Sequence, residues 1–442
     1  MVRRNLSTAG KLPHMPSDPI ARLDALTRWP YQRRVLAVVG AAWFFAFFDI
    51  VNIGYALPAI SEQFGVSSSV VAITVTLSLV GYVIGSLTDG VIADRYGRQL
   101  ALVLSVSAFS IGTIIAACAT DVPLLAIGRF IAGMGIGAEI ASATAYVGEI
   151  SPSGLRGRAG SQAAAWGYAG LALVPFIALL LVPRFDAGWR VLFLIGAAGG
   201  LIVLPFRRKL PPSPRWLMAR GRVAEADAAV SACEAFAGPG ASAAPAPPQP
   251  PAAQPHQFAR YAALFLGVWF IYYIGNYAWL TLAPTLLTDR GISLTSSIAY
   301  LSVTGIGFFA GALLAIWLGE RVERKVTIIC TLIGWAIALL VVGIFPQAGV
   351  IMAFGFLASL SIGLAVPLMY VYTGEHFSSP NRARGISIGD GIGHIGGAIC
   401  PYLVLPAAGV SFFLGLAVMA ATGVLSAGLV LFGRRTTGRG IT

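Results

Sequence analysis

Twelve apolar stretches constrain this chain more than any other feature, because each has the roughly 20 residues a helix needs to cross the roughly 30 Å hydrocarbon core of a bilayer. They lie at 35–58, 69–89, 99–119, 122–149, 160–183, 189–206, 262–286, 296–318, 326–345, 349–373, 385–406 and 410–432. Of the 442 residues, 57% are hydrophobic and only 11% charged, where a soluble domain carries about a quarter charged. Too little polar surface exists to cover a water-soluble globule. The expected fold class is therefore an all-α membrane protein of twelve transmembrane helices, with the lipid bilayer as solvent. Abundant Gly and Pro suit helices that pack closely and break locally.

A formal charge of +12 would suit a polyanion, but its placement points to topology. Of the 30 Lys and Arg, 26 fall before Val35, after Leu431 or in every second loop, leaving Arg129, Arg184, Arg190 and Arg290. That asymmetry follows the positive-inside rule, so both termini are expected in the cytoplasm of a cell that holds the chain in its inner (plasma) membrane. No nucleic-acid partner is implied. The first 34 residues are basic and polar, without an apolar core or a small-residue cleavage site, so no cleaved signal is expected. The residues after the Arg3-Arg4 pair are too polar for a twin-arginine signal. Cys118, Cys233, Cys330 and Cys400 lack metal-ligand spacing and read as apolar fillers, with Cys233 as a loop thiol.

The chain divides into a cytoplasmic tail (1–34), a six-helix half (35–217), a Pro/Ala-rich cytoplasmic linker (218–260), a second six-helix half (261–433) and a short cytoplasmic tail (434–442). The linker opens with an Ala-rich surface helix and ends in an extended polyproline-type run, Gly238–Pro255. The halves repeat. A shift of 226 residues lays Gly81 and Gly85 on Gly307 and Gly311, Pro58 on Pro284, Arg95 and Arg98 on Arg321 and Arg324, Tyr146, Gly148 and Glu149 on Tyr372, Gly374 and Glu375, and Arg156 and Arg158 on Arg382 and Arg384. Six spans per half make the two copies enter the membrane in the same sense, a parallel duplication about an axis along the membrane normal.

The first cytoplasmic hairpin reads Gly90-Val-Ile-Ala-Asp94-Arg95-Tyr96-Gly97-Arg98, with a glycine for the tight turn and charges that can bridge helix ends. It resembles the GxxxDRxGR signature of the major facilitator superfamily. Gly128-Arg129 through Glu139, the Gly148-Glu149 to Arg158 exit, and Leu210-Pro-Pro-Ser213-Pro214-Arg215 are similar to the sugar-porter-like branch, including its niacin and aromatic-acid symporters. The resemblance covers nearly the whole chain and implies the major facilitator fold of two parallel six-helix halves. It also implies cytoplasmic salt-bridge clusters of Asp94, Arg95, Arg98, Glu149, Arg156, Glu375 and Arg382 that hold the outward-open state. The chain departs from that branch in two places. The second hairpin, Glu320-Arg321-Val-Glu323-Arg324-Lys325, has Glu in place of Asp and of Gly, and Pro212 replaces a usual Glu, which removes one partner from the inner charge cluster.

Ionisable residues inside spans are functional candidates by default. Asp49 lies about 14 residues into the first span and Arg129 about 7 into the oppositely directed fourth, which puts both at a similar depth. They can pair if those helices touch, and such a pair resembles the proton-coupling pair of proton-linked sugar porters. Proton binding to Asp49 could then be switched by Arg129 moving, or the pair could be a static structural one. The repeat equivalents are Gly275 and Gly355, so coupling is expected in the N-terminal half. Glu139, in the inner part of the fourth span, is a further candidate, whose alternative is a structural hydrogen bond to a neighbouring helix.

Candidates for substrate binding are Tyr272, Tyr273, Asn276, Tyr277 and Trp279 in the seventh span, Asp390 and His394 one turn apart in the eleventh, and Trp166 and Tyr168 in the fifth. Aromatics with an amide can stack a ring and bond its edge, and can equally be lipid-facing. The sequence contains no phosphate-cradling GxxxxGK[ST] run, no nucleophile beside Asp390 and His394 and no metal cluster, so neither an enzyme nor a cofactor is expected. The expected function is proton-coupled uptake of a small organic solute, an organic or aromatic carboxylate, by a monomer whose partners are substrate, protons and lipid. A proton-coupled drug exporter, an uncoupled facilitator and a transport-like sensor are the alternatives.

Overall fold

The computed structural model describes residues 18–241, 255–318, 321–377 and 381–436. The Arg3-Arg4 pair, most of the polyproline-type run and Glu320 lie outside these residues. Among the described residues, twelve helices are long and apolar enough to cross a membrane. We number them α1 (Arg34–Phe64), α2 (Ile73–Tyr96), α3 (Arg98–Ala117), α4 (Val122–Ile150), α5 (Arg156–Leu181), α6 (Gly188–Arg207), α7 (Pro255–Asp289), α8 (Leu294–Leu318), α9 (Arg324–Ile344), α10 (Ala348–Glu375), α11 and α12 (Phe412–Val430). Helix α11 is composite: Arg382–Ile386, then a π-helical turn Ser387–Ile392, then Gly393–Val410. Short helices Pro19–Asp24, Pro214–Ala219 and Val223–Ala237 lie outside the spans.

Local chemistry sets the helix ends. Asp121 accepts from Leu124 N at the start of α4, and Ser411 does the same for Leu414 N at α12. Gly97, with φ of 101°, is the single residue between α2 and α3. A side chain would strain that turn, and Trp216 closes over it. Large apolar side chains such as Val91, Ile202, Val410 and Phe432 stand mostly exposed on the outside. A water-facing protein would not leave them so.

The repeat seen in the sequence holds at the level of contacts. Helix α2 packs on α4 as α8 packs on α10, and the pairs α1–α5, α3–α6 and α1–α6 recur as α7–α11, α9–α12 and α7–α12. A Cβ at Gly81 would run into the carbonyl of Phe130, and one at Gly307 into that of Phe356. Both pairs are related by the same 226-residue shift. Such contacts let backbones touch where lipid offers no hydrophobic drive for helix association. The halves meet through α1–α7, α2–α11 and α5–α8.

Candidate functional site

Asp49 and Arg129 meet with both side chains fully buried. Arg129 Nη1 donates to Asp49 Oδ2 at 2.8 Å, and its Nη2 reaches the Asp49 carbonyl at 3.1 Å and Ser78 Oγ at 3.4 Å. The other carboxylate oxygen accepts from Thr113 Oγ1 at 2.8 Å and from Asn52 Nδ2 at 3.0 Å. The Arg129 guanidinium also lies 5.6 Å from the centre of the Phe193 ring. Five helices, α1, α2, α3, α4 and α6, thus converge on one ion pair. Asn52, Ser78 and Thr113 were not among the sequence candidates. Asn52, three residues from Asp49 on the same helix, was within reach of a spacing argument; the other two depend on which helices are neighbours.

A second buried pair lies toward the end of the bundle where α4 and α6 finish. Glu139 is ion-paired with Arg207, and both are fully enclosed. Ser105 Oγ donates to the other Glu139 oxygen at 2.7 Å. Arg207 falls one residue beyond the expected sixth span, 189–206, among the loop charges. It is the last residue of α6, turned inward and fully buried. One layer further, Ser142 Oγ donates to buried Asp89 at 2.5 Å.

In the C-terminal half, Asp390 sits in the π-helical turn and is held by two phenols, Tyr273 at 2.5 Å and Tyr370 at 2.6 Å. His394 does not bond that carboxylate, whose oxygen is 3.7 Å from Nδ1. Its Nδ1 pairs instead with the Asp390 backbone carbonyl at 2.6 Å. The imidazole stacks on Tyr82 of the other half, ring centres 3.8 Å apart and 18° from parallel, with Tyr273 at 4.1 Å and Tyr277 at 5.4 Å. This is a tyrosine-walled seam between α2, α7 and α11. Thr76 Oγ1 extends it outward by donating to the Ala398 carbonyl at 2.8 Å.

Other candidates are placed elsewhere. Trp166 is 46% exposed, with its ring against α1 at Gly40. Trp279 donates to Ser359 Oγ of α10 at 3.1 Å and belongs to the interior of its own half. Tyr272 is buried 6.2 Å from Trp335 of α9. Asn276 is buried in α7 and Tyr168 lies against Phe47 of α1. Outside the seam, α1 and α7 touch so closely that a Cβ on Gly54 would lie 2.7 Å from Thr281 Cα. One turn beyond, a vestibule of about 520 Å³ is lined by Pro58, Ser61, Glu62, Thr288 and Asp289, among others.

The charges expected to cluster at the cytoplasmic face are brought together, with different partners from those expected. Arg98 bridges Glu149 at 2.7 Å and Asp94 at 2.8 Å, and Arg324 pairs with Glu375 at 2.7 Å in the repeat-related place. Ser213 Oγ completes Glu149 at 2.6 Å. Arg95 stands apart, exposed and folded over its neighbour Tyr96. Arg156 binds Asp24 of the N-terminal segment rather than Glu149. Arg382 donates to the Gly374 carbonyl at 3.2 Å. Cys233, expected as a loop thiol, is buried beside Leu23 and Val230.

A profile for the family "Sugar (and other) transporter" matches residues 34–437. The chain is 31% identical over 392 residues to YyaJ of Bacillus subtilis, a protein named for metabolite transport, covering 86% of this chain and 87% of that one. It is 28% identical to the niacin transporter NiaP of Acinetobacter baylyi (88% and 90% covered) and 29% to the 4-hydroxybenzoate transporter PcaK of Pseudomonas aeruginosa (86% and 87%). A solved D-xylose-proton symporter superposes with a TM-score of 0.72 at 20% identity, covering 92% of this chain and 98% of that one, which shows the same major facilitator fold. With a family match over most of its length and that twelve-helix architecture, the chain is a multi-pass membrane protein, not an enzyme, and belongs to the sugar (and other) transporter family of the major facilitator superfamily.

Proposed function

We propose that this protein is a secondary active transporter that couples proton entry to uptake of a small organic or aromatic carboxylate. It would work by alternating access in the inner membrane, with both termini cytoplasmic. The observation that carries the reading is the Asp49–Arg129 pair. A carboxylate and a guanidinium fully removed from water are difficult to retain for stability alone, because desolvation offsets most of their attraction. Inside a membrane such groups mark ion and proton pathways.

The geometry gives protonation a consequence. A proton on Asp49 Oδ2 removes the acceptor of Arg129 Nη1, leaving the guanidinium only the Asp49 carbonyl and the longer Ser78 contact. The tie between α1 and α4 then weakens. Helix α1 is also the helix that meets α7 at Gly54, five residues further outward. Loosening α1 therefore acts on the outer seal between the halves.

The seam around His394 supports an aromatic carboxylate. Tyr82, Tyr273 and Tyr277 offer ring faces to a planar solute. NiaP and PcaK are named for niacin and 4-hydroxybenzoate, both aromatic acids.

The test is reconstitution in liposomes with a trapped pH dye, adding aromatic acids, aliphatic acids, nicotinate and sugars to wild type and Asp49→Asn. Asn keeps the acceptor for Thr113 but cannot carry the proton. Acidification on adding an aromatic acid, lost in Asp49→Asn while counterflow exchange survives, is the expected result. Counterflow without proton movement in the wild type would sink the coupling and leave a facilitator.

A further inference from the structure

The segment ahead of α1 is built into the cytoplasmic face. Its short helix, Pro19–Asp24, is capped by Asp18, which accepts from Ile20 N at 3.0 Å. Leu23 and Leu26 are buried against Val230, Cys233 and Ala241. Arg22 grips the helix Val223–Ala237 through Asp227 and Glu234, each at 2.5 Å, and Ser231 at 3.0 Å. Those two carboxylates hold the Arg22 charge more firmly than usual, raising its pKa. Thr27 N then donates to the Ala241 carbonyl at 2.7 Å.

This anchoring delivers one carboxylate to the charge cluster. Asp24 Oδ1 accepts from Arg215 at 2.6 Å and Arg156 at 3.2 Å, while the Asp24 carbonyl accepts from Ser153 at 3.2 Å. Arg156 opens α5, and Arg215 lies just after α6 and also donates to the Glu149 carbonyl at 3.2 Å. The Glu149 carboxylate is already engaged by Arg98 and Ser213. Arg382, across the interface on the second half, is close enough for its charge to act on Arg156. Asp24 thus balances two arginines at the point where a third approaches from the other half. The usual Glu is absent at Pro212, and a residue about 190 positions earlier in the chain brings a carboxylate to the same cluster.

We propose that Asp24 is a gating residue and that residues 19–27 form a clasp that keeps the cytoplasmic side closed. The clasp must yield when the protein opens inward. This rests on the alternating-access reading above. Without the Asp24 charge, Arg156 and Arg215 face Arg382 uncompensated, and like charges drive the α4–α5 and α10–α11 turns apart.

The test uses the full-length chain in nanodiscs, with its four native cysteines replaced and spin labels at Gly154→Cys and Arg384→Cys. Gly154 is a good position because a side chain there meets nothing. Asp24→Asn should raise the long-distance fraction at least twofold, and Asp24→Glu should leave it as in the parent. Arg22→Glu, which repels Asp227 and Glu234 without touching Asp24, should match Asp24→Asn by undocking the clasp. Glu149→Gln serves as the reference for an opened gate. If Glu149→Gln lengthens the distance and neither Asp24→Asn nor Arg22→Glu does, the clasp is structural and the proposal is wrong. If no variant moves it, the alternating-access reading falls, and the proposal with it.

Discussion

Removing either Glu139 or Arg207 strands a charge, because both are fully enclosed. Arg207→Ala should cost about 3–5 kcal/mol, the usual effect of breaking a buried pair. The double variant Glu139→Leu/Arg207→Leu should recover much of it, because no buried charge is left. Thermal unfolding followed by fluorescence-detected gel filtration would measure both, and equal losses would show that packing, not charge, sets the cost. A role in transport would instead appear as lost uptake in the well-folded double variant. The same residues show what a linear reading can reach. Asp49 and Arg129 were legible because depth along two helices is simple arithmetic. Arg207, one residue past an expected span end, read as a loop charge because helix ends are poorly fixed by hydropathy, and Asp24 needed the chain to return from 190 residues away.

At the level of elements, the spans were legible because twenty apolar residues are hard to mistake, and every expected span overlaps an observed one. The helix pairings became legible only through the duplication. The π-helical turn at Ser387–Ile392 was not, since Gly389-Asp390-Gly391 suits any locally widened helix and the extra residue per turn leaves no periodic mark. Close packing gives a sharper forecast. A Cβ at Gly137 of α4 would collide with the carbonyl of Tyr82 on α2, and the equivalent Gly363 meets Phe308 in the same way. Gly137→Ala should push α2 outward at a cost of about 1–3 kcal/mol. Tyr82 stacks on His394, so the same change should weaken substrate affinity more than Gly363→Ala does. Equal effects on binding in the two variants, measured by counterflow KM, would argue against a substrate role for the seam.

Considered whole, the two halves finish their last spans by the same device. Tyr146 OH donates to the Pro211 carbonyl after α6, and Tyr372 OH donates to the Arg434 carbonyl after α12. His376 adds a pH dependence to the second. Its Nδ1 pairs with the Tyr372 carbonyl at 2.8 Å and its Nε2 accepts from Arg434 N at 3.0 Å, a pattern that needs the neutral ring. Burial among Tyr261, Phe265 and Tyr372, together with the charges of Arg434 and Lys325, lowers its pKa to about 4. Glu375 and Glu323 also face this corner but bond Arg324 and the Thr436 amide. With the tail released, the ring would titrate near 6.5. The released state therefore binds the extra proton between about 6.5 and 4, and docking of residues 431–436 should be constant above pH 6.5 and weaken as pH falls through that window. Hydrogen exchange of the Arg434 amide at pH 8, 6 and 5 would read it, and the pH dependence should vanish in His376→Gln.

The duplication has also settled where charge can sit. Where one half keeps Asp49 and Arg129, the other has Gly275 and Gly355, and their missing side chains are not voids. A Cβ at Gly275 would lie 2.2 Å from Thr422 Oγ1, 2.4 Å from the Trp335 indole and 2.9 Å from the Met419 carbonyl, and one at Gly355 would lie 2.5 Å from Thr304 and 3.4 Å from Trp279. At this position one half holds a buried ion pair and the other is filled by the side chains of Thr422, Trp335 and Thr304. Writing Asp and Arg back into the second half would first have to clear Thr422, Trp335 and Thr304, so neither side chain can be restored without repacking its neighbours.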